Sequence, residues 1–336
     1  MVLTATRYEI AAWVLTAAGL FLVLKLHLLP ALLAGLLVYQ LVHMLAPRLV
    51  LIRVRRERGK LVAVAILSSI IVLLLTLAVL GLLAFFRSDM GNLPGLLDKM
   101  ADILDSSREK LPDWIGDRLP ENAEETRQVV TDWLRTHAGE LQSVGKAFGI
   151  AIVHILVGLV IGALISLREA RDSEGLGPLG IALGERMQRL GRAFRRIVFA
   201  QIRISALNTL LTAVYLAGVL PMLGIHLPFL KTMIAVTFLA GLLPVIGNLI
   251  SNTVIVVVSL SYSLGAAVGS LAFLVIIHKL EYFVNARIVG SQIRARAWEL
   301  LLAMVAMEAA FGIAGVVAAP IYYAYVKDEL TSRGLI

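Results

Sequence analysis

The chain has 336 residues, of which 59% are hydrophobic and 16% charged, and its net charge is +8. Soluble domains contain about 45–50% apolar residues, so this composition excludes an ordinary soluble protein and indicates a membrane protein. The absence of cysteine excludes disulfides, thiol catalysis and cysteine-based metal sites. Excess Lys and Arg are typical of cytoplasmic loops, so we expect membrane lipid, and not nucleic acid, as a partner.

Residues 1–86 contain three apolar runs, at 10–29, 31–46 and 61–86. A membrane span needs about 20 apolar residues. The first two runs are short and predict a tight helical hairpin, with the first run an uncleaved span because no signal cleavage site follows it. The third is the clearest span. The loop at 47–60 contains six basic residues and one acidic residue, Glu57. This excess of positive charge predicts that the loop is cytoplasmic.

Residues 87–146 are polar and have helical periodicity between prolines, which predicts a small extramembrane helical domain. In the segment 147–197, a span is followed by a basic helix. Gly158 and Gly162 are four residues apart in that span, which permits close helix packing. The basic helix has an apolar stripe opposite its arginines, and we expect it in the membrane interface. Its arginines either bind acidic lipid or form a solvated face.

Residues 198–336 are predicted to form the transport core, with the apolar runs 197–223, 229–243, 249–260, 264–277 and 300–326. The fold class is therefore all-α. We expect a polytopic membrane helix bundle of about eight transmembrane or re-entrant helices with a small helical extramembrane domain. Eight simple spans with both termini inside put residues 278–299 outside. A re-entrant hairpin at 244–264 puts them inside but sends the C-terminus outside. We favour the eight spans.

The segment 244–248 is predicted to break a helix at membrane depth. Pro244 lacks an amide donor, and Gly247 frees the backbone just before Asn248. Broken helices in transporters expose half-helix ends that coordinate substrates or ions. The alternative is a simple kink or a turn between two full spans.

Glu308 is predicted to lie inside the last apolar run. A carboxylate at the centre of a span costs about 2.5–3.5 kcal/mol. We interpret Glu308 as a proton- or ion-coupling site, with Arg203 or Lys231 as a partner. The alternative is a structural hydrogen-bond anchor between helices.

Two further polar groups are candidates for the transport pathway. The first consists of Glu281, Asn285, Arg287 and Glu299, and the second of Gln201, Arg203 and Asn208. Glu281 and Asn285 share a helix face, but the first group is also compatible with a solvated loop. Gln201 and Asn208 are two turns apart on one face, so they either line a cavity or bond one helix to another.

Enzyme signatures are absent from the sequence: it has no H-E-x-x-H, G-x-S-x-G or Walker A motif. No two of its six histidines are three or four residues apart, so a local helical metal pair is absent too. We expect no enzymatic activity, no cofactor and no metal site.

Three motifs in order resemble the AI-2E family of transporters, the autoinducer-2 exporter-like permeases. They are Pro-Val-Ile-Gly at 244–247, Glu-Tyr-Phe-Val-Asn-Ala-Arg-Ile-Val-Gly at 281–290 and Phe-Gly-Ile-Ala-Gly-Val-Val-Ala-Ala-Pro at 311–320. The resemblance implies a multi-pass protein of the bacterial inner membrane that forms homo-oligomers, pentamers among them. It also implies either export of autoinducer-2 or sodium–proton exchange.

The chain departs from the family pattern at Ala286, at Arg296-Ala297 and at Glu308, where a small residue is usual. The added carboxylate favours coupling to a cation or proton. The leading prediction is a secondary transporter or exporter of a small polar solute. The alternatives are a cation–proton antiporter and a membrane scaffold without transport activity.

Overall fold

The computed structural model describes residues 6–51, 61–71, 123–168, 176–243, 246–293 and 296–335, with residues 59, 73 and 80 singly. Within these ranges every regular element is a helix. By length and composition alone, five helical segments in the described residues could cross a membrane, the last of them Trp298–Ser332, and four shorter apolar helices accompany them. The predicted all-α membrane bundle is therefore confirmed. Of the predicted extramembrane domain, residues 87–122 lie outside the described residues.

The helices are α1 (Arg7–Lys25), α2 (Leu29–Leu51), α3 (Leu61–Ile71), α4 (Ala123–Thr136), α5 (Ala138–Arg168), α6 (Pro178–Val214), α7 (Leu230–Gly241), α8 (Ile246–Leu260), α9 (Leu264–Ile293) and α10 (Ala297–Ser332). A capping box starts α1, in which Thr6 and Glu9 each bond the other's backbone amide. α6 continues through a π-helical turn, Tyr215–Val219, into a last turn, Leu220–Met222. The boundary predicted at residue 197 therefore falls inside one continuous helix.

The chain divides into two compact units. Unit 1 contains Met1–Leu77, Gly145–Phe199 and Val289–Ile336, and unit 2 contains Ala78–Val144 and Ala200–Ile288. The four predicted segments follow chain order, whereas each unit combines stretches that are distant in the sequence. Unit 1 in particular joins the N-terminal helices to α10.

In unit 1, α2 and α5 cross at glycines. A Cβ on Gly35 would lie 3.0 Å from the carbonyl oxygen of Gly158, and a Cβ on Gly158 or Gly162 would overlap the backbone of Ala31 or Gly35. The close packing predicted for Gly158 and Gly162 is confirmed. Only glycines allow two helix backbones to approach to this extent.

α10 is two antiparallel arms and not one straight helix. The backbone leaves helical geometry at Gly312, where φ is 59° and ψ is −142°. A Cβ on Gly315 would overlap the carbonyl oxygen of Met307. Lys327 Nζ lies 2.6 Å from a Glu299 carboxylate oxygen, although a straight helix would separate residues 28 apart by about 42 Å. We call residues 297–311 and 313–332 the two arms of the second hairpin.

The prediction of a single last span at 300–326 is therefore wrong. The first arm has 15 residues and reaches only about 22 Å, less than the roughly 30 Å of a bilayer core. Both arms are apolar, so hydropathy alone reads them as one span. The conformation at Gly312, which only glycine adopts readily, produces the reversal.

The second arm forms a core of unit 1 with α6. Leu190, Phe194 and Ile197 of α6 are buried against Ile321 and Tyr325 of the second arm. These three α6 residues belong to the apolar stripe opposite the arginines. That part of the stripe therefore packs against protein.

In unit 2, α7 and α8 form a second helix pair that reverses direction, which we call the first hairpin. α7 has 12 residues and α8 has 15, so they reach about 18 and 22 Å. Gly247 is buried, and a Cβ there would overlap the carbonyl oxygen of Ala240. At the other end, Tyr262 Oη donates to the carbonyl oxygen of Gly224, at 2.9 Å. The chain therefore leaves the first hairpin at the end of unit 2 where it entered.

Candidate functional site

A row of neutral polar side chains on α6 lies along the first hairpin. Gln201, Ser205, Asn208 and Thr212 follow one another at steps of four, three and four residues, so they share one face of α6. Ser205, Asn208 and Thr212 are buried. We call these four residues the polar ladder.

Gln201 and Ser205, the N-terminal half of the polar ladder, hydrogen-bond the end of α7. Gln201 Nε2 donates to the carbonyl oxygen of Gly241 at 2.7 Å, and Ser205 Oγ donates to that of Phe238 at 2.6 Å. Carbonyls in the last turn of a helix have no partner within the helix. The α6 side chains satisfy two of them, which stabilises the broken end of α7.

Asn208, in the C-terminal half of the polar ladder, hydrogen-bonds a residue at the start of α8. Asn208 Nδ2 donates to Asn248 Oδ1 at 3.3 Å, and Ser251 Oγ donates to the carbonyl oxygen of Asn248. Asn248 belongs to the first turn of α8, where backbone amides lack intrahelical acceptors and the helix dipole is positive. The tip of the first hairpin thus combines amide donors, carbonyl acceptors and two carboxamides.

Two threonine hydroxyls extend this polar region. The Oγ1 atoms of Thr209 and Thr212 are buried and have no hydrogen-bond partner among the described residues, and Thr212 is only 1% exposed. An unsatisfied buried hydroxyl costs about 1–3 kcal/mol. Such groups in a native structure call for an explanation, and a bound polar molecule supplies one.

Among the described residues, Glu308 is the acidic side chain near the tip of the second hairpin. Glu308 lies on the first arm, four residues before Gly312, and its side chain is exposed. Its neighbours on the arm are apolar, and no residue in the described part of the chain pairs with it. The predicted pairing with Arg203 or Lys231 stays a prediction.

The base of the second hairpin is closed by polar contacts. A Glu299 carboxylate oxygen accepts from both Lys327 Nζ and Tyr323 Oη. Lys327 also lies over the Tyr323 ring, 5.6 Å from its centroid. The sequence predicts Glu299 as a pathway residue, and the structure places it in the contact that holds the two arms together.

A buried charge cluster joins three elements of unit 1. Arg186 of α6 is fully buried and lies 3.4 Å from Glu329 of the second arm, which also accepts a 2.7 Å hydrogen bond from Trp13 Nε1 of α1. The guanidinium groups of Arg186 and Arg333 lie 5.5 and 5.3 Å from the Trp13 ring centroid. Arg333 in turn bonds Glu9, and this bond raises the pKa of Arg333.

The remaining candidates divide into two groups. Arg203 is exposed on α6. Glu281, Asn285 and Arg287 lie within α9, but their side chains, like Pro244, lie outside the described residues. The structure thus brings Gln201, Asn208, Gly247 and Asn248 to one place, and the roles of Arg203, Glu281, Asn285 and Arg287 stay predictions.

Sequence reasoning missed Ser205 and Thr212 in the polar ladder and Tyr323 and Lys327 at the base of the second hairpin. Small hydroxyl residues are common in membrane helices, so Ser205 carried little signal alone. Its spacing from Gln201 and Asn208 would have identified it, because all three lie on one face.

The AI-2E family transporter model matches residues 10–332. The chain belongs to the AI-2E transporter family. Comparisons with curated proteins and with solved structures give no significant match. The family assignment and the long apolar helices make this AI-2E transporter a multi-pass membrane protein.

Proposed function

We propose that the chain is a secondary transporter that moves a small, polar, uncharged solute across the inner (plasma) membrane of a bacterium. The polar ladder and the tip of the first hairpin bind the solute. The observation that carries this proposal is the hydrogen bonding of broken helix ends by α6 side chains, with Asn208 joined to Asn248. Non-helical backbone at membrane depth is tolerated only beside protein or a watery cavity.

The chemistry of the polar ladder supports an uncharged solute. Its four residues are carboxamides and hydroxyls, which donate and accept hydrogen bonds but carry no charge. Hydroxyl and carbonyl groups of a small solute match these donors and acceptors. Autoinducer-2, which the family resemblance suggests, is one such solute.

Coupling to a proton or cation is the second part of the proposal, and it rests on Glu308. A carboxylate exposed on an apolar arm is costly in lipid, so it faces water, an ion or a partner. Glu308 lies about one helical turn from the reversal at Gly312. Exchange of a cation for a proton, with Glu308 as the carrier, is the alternative function that this position favours.

The second hairpin also bears on membrane topology. Glu9, Arg186, Glu329 and Arg333 lie together, and basic helices are retained in the cytoplasm. We infer that both ends of the described chain are cytoplasmic. Glu299, at the start of the second hairpin, pairs with Lys327 near the end of the chain. We therefore infer that the chain enters the second hairpin from the cytoplasmic side. A topology of eight simple spans would have it enter from outside.

Homo-oligomerisation, with a pentamer as one assembly, is the remaining part of the proposal. Its support is the family resemblance, and native mass spectrometry of the purified protein in detergent measures it directly. A monomer at all detergent concentrations would contradict it.

Flux into proteoliposomes tests the transport proposal. Autoinducer-2 is the first solute, and radiolabelled sodium, with and without a proton gradient, tests the alternative. We expect Asn208→Ala to lower solute flux at least tenfold. Thr253→Ala is the matched control, because Thr253 is exposed on α8 and bonds only its own helix.

Three results separate the functions. Unchanged flux in Asn208→Ala would exclude the polar ladder as the solute site. Loss of the gradient dependence in Glu308→Gln, with solute binding retained, would support coupling. An absence of flux for every solute, together with a stable protein partner in a pull-down, would support a scaffold instead.

A further inference from the structure

The N-terminal half of α6 has a positively charged surface that the transport proposal does not use. Arg192, Arg195 and Arg196 lie within five residues of one another, and the side chains of Arg192 and Arg196 are 51% and 40% exposed. Arg195 is also exposed. The buried residues Ala193, Phe194 and Ile197 alternate with them on the opposite face. We call Arg192, Arg195 and Arg196 the basic surface.

Among the described residues, the charge of the basic surface is only partly neutralised. Asp328 lies 3.9 Å from Arg192 and 3.6 Å from Arg196. Arg195 has no carboxylate partner among the residues that the structure describes. The neighbouring Glu329 is already paired with Arg186 and Arg189. In this part of the described chain, one carboxylate thus pairs with two of the three arginines, which leaves two positive charges in excess.

The basic surface lies where α6 passes from charged to apolar sequence. From Ile197 to Val214 the helix is mainly apolar, whereas the preceding residues carry the arginines. A helix that enters a bilayer in this way places its arginines at the level of the lipid headgroups. The phosphate of a lipid is then the nearest anion, and the planar guanidinium binds phosphate with two hydrogen bonds.

We propose that the basic surface binds the headgroup of an anionic phospholipid on the cytoplasmic side. Both contacts with Asp328 are longer than a hydrogen bond, so this carboxylate leaves guanidinium donors available. Asp328 and the lipid phosphate attract the same arginines. Asp328 therefore acts as an internal competitor that weakens lipid binding.

The competition predicts opposite effects for two single substitutions. Arg195→Gln removes a phosphate donor, and we expect it to lower the affinity for phosphatidylglycerol several-fold. Asp328→Asn removes the competing carboxylate and should raise that affinity several-fold. Lys25→Gln is the matched control, since Lys25 is an exposed cation at the far end of α1 and should leave binding unchanged.

Native mass spectrometry of the full-length protein, titrated with phosphatidylglycerol or phosphatidylcholine in detergent, measures these affinities. Competition by millimolar inorganic phosphate separates a lipid site from a general phosphate site, and we expect phosphate to compete poorly. Arg192→Gln provides a second reading if Arg195→Gln does not fold. Equal binding of the two lipids, or equal phosphatidylglycerol affinity in Arg195→Gln and Asp328→Asn, would overturn the proposal.

Discussion

Lys327 Nζ lies 2.6 Å from a carboxylate oxygen of Glu299, across two arms that hydropathy reads as one straight helix. This ion pair shows that the last apolar segment returns to the end from which it started. We therefore predict that the segment does not deliver the C-terminal residues to the opposite side of the membrane.

Replacement of Gly315 should destabilise the protein. A Cβ at this position meets backbone, the carbonyl of Met307, which cannot move aside as a flexible side chain can. We expect Gly315→Ala to lower the free energy of unfolding by about 1–3 kcal/mol or more. Thermal unfolding in detergent measures the change.

Gly149→Ala is the control for Gly315→Ala. Gly149 is exposed on α5 and a Cβ there meets nothing within 4 Å, so the higher helix propensity of Ala should make this variant neutral or slightly more stable. Equal destabilisation by the two substitutions would contradict the tight crossing of the two arms.

Replacement of Glu329 in the charge cluster should destabilise the protein more than replacement of the neighbouring Asp328. Glu329→Gln leaves the fully buried Arg186 with only Glu185, 3.2 Å away and half-exposed, as a carboxylate partner. Breaking a buried pair costs at most about 3–5 kcal/mol. Asp328→Asn breaks only long contacts with exposed arginines and should have a much smaller effect. Thermal shifts of the two variants in the same detergent make the comparison, and similar shifts would mean that the cluster contributes little.

The contact between Glu299 and Lys327 should be measurable as a coupling. A double-mutant cycle with Glu299→Gln and Lys327→Met isolates it, because each substitution removes one charge and keeps the approximate shape. The exposed pair of Asp132 and Arg135, 3.8 Å apart on α4, is the control. We expect a clearly larger coupling at the base of the second hairpin than at the control pair, where exposed charges are screened.

Cysteine labelling should show that residue 296 and the C-terminal residues lie on the same side of the membrane. The chain has no native cysteine, so each introduced thiol is unique. Arg296→Cys and Leu335→Cys should both label from the cytoplasmic side, whereas Leu223→Cys, at the outer end of the predicted span 197–223, should label only from outside. Labelling of position 296 from outside would restore the count of eight simple spans.

The fold class and several helices could be predicted because long apolar runs and basic loops are strong signals. The helix break near Gly247 was also recognisable, since proline and glycine interrupt the apolar run. The reversal at Gly312 was not, because it has no proline and no polar interruption, and isolated glycines are common in membrane helices. The reversal depends on the backbone dihedral angles of Gly312 alone, and hydropathy carries no information about them.

The site was predicted in part for a similar reason. Gln201 and Asn208 stood out because carboxamides are rare in a span, and the structure places both against the first hairpin. Which helix they bond could not be inferred, because the contact joins residues 40 positions apart. The proposed role of Glu308 rests on the cost of a carboxylate in an apolar segment, which the sequence already displays.

Trp13 lies between two guanidinium groups and donates its indole hydrogen to Glu329. Indole emission responds to nearby charge and to loss of a hydrogen bond. The chain has four tryptophans, so replacement of the other three would leave one fluorophore within the junction of α1, α6 and the second arm. Its emission would give an optical signal, without an added label, for any movement of the second hairpin relative to the first helix.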